Sequence, residues 1–229
     1  MFQVVRLSAL ACVIKHFDNY SLKTKKYADF LLFKRAFDLV KNKEHHTEAG
    51  LRKLISIRAS MNKGLPERLE AAFTGITPVP RSQVPKTTLE SNTPEVKHWM
   101  AGFVSGEGCF FIKRSKSKTH KLGMSIALNF LVVQNIRDAN LLESFVQVFG
   151  CGSFFIREKT GIGTFAVSNF SHIVDNIIPF FEEYPILGVK AKDFEDFKEA
   201  SVLIKSKAHL TKEGLDKILL IKSRMNFKR

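Results

Sequence analysis

One carboxylate in the chain stands in an unfavourable place. Glu107 closes the segment 94–107, in which Val96, Trp99, Met100, Phe103 and Val104 recur at helical spacing. The C-terminal end of a helix carries partial negative charge, which disfavours an anion there by roughly 0.3–1 kcal/mol. Glu107 also continues the apolar stripe and is flanked by Gly106 and Gly108. A carboxylate held there by small neighbours makes physical sense when a cation offsets it, and a divalent metal with oxygen ligands is one such cation. An exposed glutamate at a helix end is the alternative reading of the same residues.

A second group of residues could recognise a polyanion. Lys113, Arg114, Lys116, Lys118 and Lys121 crowd a basic turn at 113–121, and Arg157 and Lys159 follow near the end of another strand. All are placed to meet phosphates, while Ser125, Asn129 and Ser153 could read base edges from the less apolar side of their strands. The whole chain supports this. Its 229 residues carry 36 Lys+Arg against 22 Asp+Glu, a net charge of +14 and a pI near 9.8. The excess runs along the entire body rather than a tail, as expected for a nucleic-acid partner.

Other chemistries are excluded or weak. No apolar run approaches the roughly 18 residues of a spanning helix, so no membrane role is expected. The three cysteines, Cys12, Cys109 and Cys151, have no CxxC spacing, and the seven histidines form no HExxH pair. That argues against a disulfide scaffold or zinc ribbon and fits a reducing compartment. Phenylalanine is common at 21, and lysine far outnumbers arginine. Both are residues that AT-rich codons favour, a hint of an organellar genome.

The elements that must position these groups follow from local signals. Thr93-Pro94-Glu95 is a helix start, with Thr as cap, proline at the first position and an acid in the first turn. Gly102 and Gly106 stand four apart on that helix and would let another helix backbone approach. Gly108 stands where a left-handed C-terminal residue is wanted. Strands are expected at 109–114 and 123–133, where Ile126, Leu128, Phe130 and Val132 alternate with Ser125, Ala127, Asn129 and Leu131. A helix is expected at 138–149, short strands near 152–158 and 163–168, and helices at about 170–181, 190–206 and 211–225. The order is α+β.

The chain repeats itself. Residues 16–64 lie on residues 180–228 at a constant offset of 164, with 19 of 49 positions identical, among them Tyr20/Tyr184, Asp29/Asp193, Thr47/Thr211, Gly50/Gly214 and Asn62/Asn226. The match continues upstream, where VxxLSxL at 4–10 resembles VxxFSxI at 167–173 with one residue inserted afterwards. This predicts the end of a first repeat at 1–64, a proline-rich extended linker at 65–92 and a complete second repeat at 93–229. Residues 1–17 hold no acid and resemble an organellar leader, but the repeat favours a strand-then-helix remnant there.

The segment Trp99-Met-Ala-Gly-Phe-Val-Ser-Gly-Glu-Gly-Cys-Phe-Phe-Ile112 resembles the motif of the LAGLIDADG homing endonucleases, and the repeated tails resemble their two-motif fungal mitochondrial intron branch. The resemblance implies αββαββα repeats, with motif helices packed through Gly102 and Gly106 and a saddle-shaped antiparallel sheet in the major groove of double-stranded DNA. It implies Mg²⁺ bound by Glu107 and the Gly106 carbonyl for phosphodiester hydrolysis. It departs from the family at Met100 and Ser105, and the nearest candidates for further active-site polar groups are Ser125 and Arg157. The first motif is missing, so the chain is expected to be an N-terminally truncated endonuclease. It would be a monomer at full length and a possible homodimer as it stands. A maturase acting on intron RNA, and an inactive remnant, are the competing expectations, each in the mitochondrion.

Overall fold

Thr93 accepts a hydrogen bond from the Val96 amide at 3.5 Å, and with Pro94 in the first turn it starts the helix that carries Glu107. The structure, a computed structural model, describes residues 3–82, 89 and 93–226. It divides into two units, 1–87 and 88–229.

In the first unit, α1 (Leu7–Asn19), α2 (Lys26–Lys41), α3 (Glu48–Ser60) and α4 (Glu67–Ala72) follow in order. Residues 3–6 lie outside any strand, so among the described residues only the helical half of the expected remnant is seen. The Thr47 hydroxyl accepts from the Gly50 amide at 3.0 Å, capping α3. Gly50 is dictated by a close approach, because a Cβ there would collide with the Glu44 carbonyl. The expected extended linker differs from the structure. Pro66 introduces α4, whose residues Glu-Arg-Leu-Glu-Ala-Ala are good helix formers with acids in the first turn. Beyond it the chain docks on α3: the Ser60 hydroxyl donates to the Val79 carbonyl at 2.6 Å, and Arg81 donates to the Ser60 carbonyl at 2.8 Å. Arg81 also pairs at 3.0 Å with Asp29, which is 8% exposed. Residues 83–88, with Pro85, and 90–92 lie outside the described residues. Arg81→Ala is expected to cost about 1–3 kcal/mol locally, by leaving a buried carboxylate short of a partner. Amide exchange along α3 measures it, and unchanged protection would show that the strap contributes nothing.

The second unit runs α5 (Pro94–Glu107), β1 (Gly108–Lys116), β2 (Met124–Asn135), α6 (Ala139–Phe149), β3 (Ser153–Arg157), β4 (Ile162–Val167), then α7 (Phe170–His172), a π turn at Ile173–Ile177, α8 (Ile178–Glu183), α9 (Lys190–Lys205) and α10 (Lys212–Ser223). The four antiparallel strands order as β1-β2-β4-β3. One face is the core. Phe110, Ile112, Leu128, Phe130, Val132, Phe165 and Val167 point into it and are buried with Met100, Val104, Leu142, Phe145 and Phe197 from the helices.

The offset of 164 holds residue for residue: α2 and α9 begin at Lys26 and Lys190, and Thr211 and Gly214 repeat the roles of Thr47 and Gly50. The upstream insertion is also visible. Leu7–Asn19 is an unbroken helix of 13 residues, whereas Phe170–Glu183 is one residue longer and widens into the π turn.

Candidate active site

Glu107 is the last residue of α5 and lies directly before β1, so its exposed carboxylate stands beside the Gly108–Val132 pair at the sheet edge. Gly108 is not the left-handed residue expected from the sequence. Its φ is −73°, and helix passes straight into strand. The glycine is needed for space, since a Cβ would stand 2.5 Å from Val104 Cγ1 and 2.8 Å from the Val104 carbonyl.

The open carbonyls of the helix end are met by a residue from 84 and 86 positions later. Lys190, at the start of α9, donates to the Gly106 carbonyl at 2.8 Å and to the Val104 carbonyl at 3.2 Å. A cation at this end is what the dipole favours. Burial pulls the Lys190 ammonium below the ordinary lysine value, while Cys109, Glu107 and Asp193 pull it back up. Burial likewise raises the Cys109 thiol. Behind Lys190, Asp193 accepts from the Asn226 amide at 2.9 Å, and Asn226 Nδ2 donates to the Phe110 carbonyl at 3.1 Å. Asn226, left-handed at φ 60°, thereby ties the end of α10 to β1. Ser105 joins the frame, its hydroxyl accepting from the Leu187 amide at 3.0 Å.

Sequence reasoning did not find Lys190. The signal was present, for Lys26 and Lys190 are identical in the repeat, three residues before Asp29 and Asp193. In the first unit Lys26 donates instead to Asn62 Oδ1 at 3.3 Å. Ser125 and Arg157 are not near Glu107. Ser125 pairs with Ser115, seven residues or roughly 23 Å along the ladder. Arg157 is on β3, three strands or about 14 Å across.

The expected DNA contacts divide between faces. Lys113, Ser125, Asn129, Ser153 and Arg157 share the outer face of the sheet, opposite the core, by strand alternation. Arg114 and Lys116 are exposed but on the other side of β1, where Arg114 lines a cleft with Ile112, Leu219 and Lys222. The basic turn is shorter than expected because β1 extends to Lys116, leaving Lys118 and Lys121 exposed in the loop. Lys159 is exposed between β3 and β4. Asn129 is only 9% exposed. Its Oδ1 accepts from the Ser168 hydroxyl at 2.7 Å and its Nδ2 is enclosed without a partner, so it does not present an open amide. Gly102 and Gly106 are exposed, and nothing lies within 4 Å of a Cβ built on either. Their expected helix partner is not among the described residues.

Lys190 offers a pH test. The charge that caps α5 is lost at a lower pH than an ordinary lysine would lose it. Any activity that needs it therefore falls on the alkaline side earlier than the usual value near 10.5. In that window the unfolded chain binds more protons, so the contribution of Lys190 to stability rises with pH while function declines. Lys190→Arg, which stays charged, should shift the alkaline limb upward; identical limbs would exclude Lys190 as the titrating group.

The profile of the LAGLIDADG endonuclease family matches residues 100–201. The chain is 38% identical over 216 residues to Neurospora crassa Probable intron-encoded endonuclease 2, covering 92% of this chain and 46% of that protein. It thus spans less than half the length of this curated relative. It is 31% identical over 140 residues to DNA endonuclease I-CeuI of Chlamydomonas moewusii, covering 58% of this chain and 63% of that one. Its structure matches the I-SmaMI LAGLIDADG homing endonuclease bound to cleaved DNA with a TM-score of 0.92 and 39% identity, over 98% of this chain and 73% of that one. I-LtrWI bound to target DNA gives 0.91 and 41%, over 100% and 75%.

Proposed function

Because the chain belongs to the LAGLIDADG endonuclease family, we propose that it is part of a site-specific DNA endonuclease of the intron-homing kind, with Glu107 as the acid for one DNA strand. The observation that carries this reading is the end of α5, where the Glu107 carboxylate is exposed and the Lys190 ammonium reaches the Gly106 carbonyl, at the edge of the open sheet. A relative in the ND4 intron 1 of Podospora anserina, 33% identical over half of this chain, supports an organellar setting.

The residues fit a divalent cation. Among the described residues no group of three or more Asp, Glu, Cys or His side chains converges as a cage, and Glu107 would offer the carboxylate. Magnesium commonly takes one or two carboxylates and completes its shell with water and substrate phosphates. The Gly106 carbonyl has a second lone pair beside the one Lys190 uses, so it too could contribute. When bound, such an ion would activate water and stabilise charge on the leaving oxygen. Lys190 holds the carbonyls of α5 and brings positive charge to the place where phosphate would lie. The Asp193–Asn226 link ties α9 to β1, which holds Lys190 near the end of α5. Hydrolysis of the second strand needs a second acid, from another copy or from sequence outside this chain.

The test is cleavage of duplexes spanning intron insertion points, with Mg²⁺ and with EDTA. Site-dependent cleavage that EDTA stops is expected; cleavage unaffected by EDTA would overturn the metal role, and the absence of any DNA affinity would overturn the reading itself.

A further inference from the structure

The outer face of the sheet has an unusual surface for a polyanion. Cross-strand partners set it out as rows of side chains that point away from the core. At one end stand Ser115 with Ser125 and Lys113 with Ala127; at the other stand Asn135, Ile162 and Arg157. Between them the rows are Phe111–Asn129, Cys109–Leu131–Ala166–Ser153 and Val133–Thr164–Phe155. Val133 and Phe155 are each 39% exposed. The one carboxamide of the central region, Asn129, is engaged by Ser168 and enclosed, so it is not free to make the paired hydrogen bonds that recognise adenine. The larger partly exposed side chains of the centre are therefore apolar, with the small hydroxyl of Ser153 exposed on the outer strand, while Lys113 and Arg157 supply charge at its ends. Arg157 leans over the Phe155 ring, 5.9 Å from its centroid.

Resting on the reading that this sheet meets duplex DNA, we propose that its centre reads thymine methyl groups, with Val133, Leu131 and Phe155 as the specificity-determining residues. The thymine methyl is the one apolar feature of the major groove, and an apolar side chain distinguishes it from the other base edges by contact alone. The spacing suits the task. Alternate residues on a strand advance about 6.6 Å, close to two base-pair steps of 3.4 Å. Each row then meets about every second pair, with the lysine and arginine ends on phosphates. The half-site under this sheet is accordingly rich in A·T pairs with thymine turned toward the protein.

The whole chain is used to select binders from a pool of randomised duplexes without divalent metal. In the selected duplex each thymine is then replaced by deoxyuridine, which removes the methyl and leaves every hydrogen-bonding group in place. Affinity is expected to fall about three- to fourfold per contacted thymine, the factor for exposing one methyl group. Val133→Ser should erase the difference between thymine and deoxyuridine at one position, and Phe155→Ser at another. Both side chains are partly exposed, so both variants are expected to fold. Equal affinity for the two bases at every position, or a selected site of G·C pairs under the sheet, would overturn the inference and leave the endonuclease reading standing. Failure to enrich any duplex would overturn that reading, and the inference with it.

Discussion

Glu107→Gln is expected to reduce Mg²⁺-dependent cleavage by at least about 10²–10³-fold, the scale for removing one charge-stabilising group from an active site, while target affinity stays nearly unchanged. The exchange is close to isosteric and the side chain is exposed, so no packing is lost. It removes a negative charge from the end of a helix whose dipole opposes it, and thermal stability should rise slightly. The two readouts move in opposite directions, which separates a functional acid from a structural one. A splicing role would be indifferent to this change, because RNA affinity from the basic surface does not need the carboxylate. Equal cleavage by both proteins would end the case for Glu107.

Phe110→Ala is expected to destabilise the second unit by about 3–5 kcal/mol, as large-to-small substitutions of buried phenylalanine do. Phe110 has no exposed surface and lies three residues beyond Glu107 in β1. Its ring stacks on Phe130 at 4.9 Å and meets Phe181, Phe194 and Phe197 at 5.6, 5.3 and 5.4 Å. Those rings come from β2, α8 and α9, so the cavity would open where the sheet, the helix layer and the strand that follows Glu107 join. Denaturant unfolding measures the loss, and Phe110→Leu should recover much of it by keeping volume. A cost below about 1 kcal/mol would mean that the surrounding rings collapse into the space.

The elements were legible wherever a local signal ran unopposed. Thr93-Pro94 marks the start of α5, the apolar spacing of Leu141, Leu142, Phe145 and Phe149 marks α6, and the repeat carries the last three helices in register. Glu107 was visible because a carboxylate at a helix end breaks a rule. Lys190 breaks the matching rule, a cation at the positive end of its own helix dipole, but a lysine opening a helix reads as surface, and only the tertiary approach of α9 to the end of α5 gives it a partner. Asn129 was misjudged for a related reason. Alternation assigned its face correctly, but its enclosure depends on Ser168, 39 residues away. The place of Gly108 after a helix suggests a left-handed terminator, whereas Val104 requires the same residue for lack of room.

The π turn at Ile173–Ile177 has an ancestral meaning. An extra residue in a regular helix would advance everything after it by 1.5 Å and swing it through about 100°, carrying Tyr184 and Lys190 out of place. Here the surplus is taken up within five residues, and from Asn19 and Glu183 onward the two copies stand at the constant offset of 164. The bulge is thus a scar of divergence between duplicated halves: a length change absorbed where it arose, so that later substitutions could reshape one copy without disturbing the geometry both inherited.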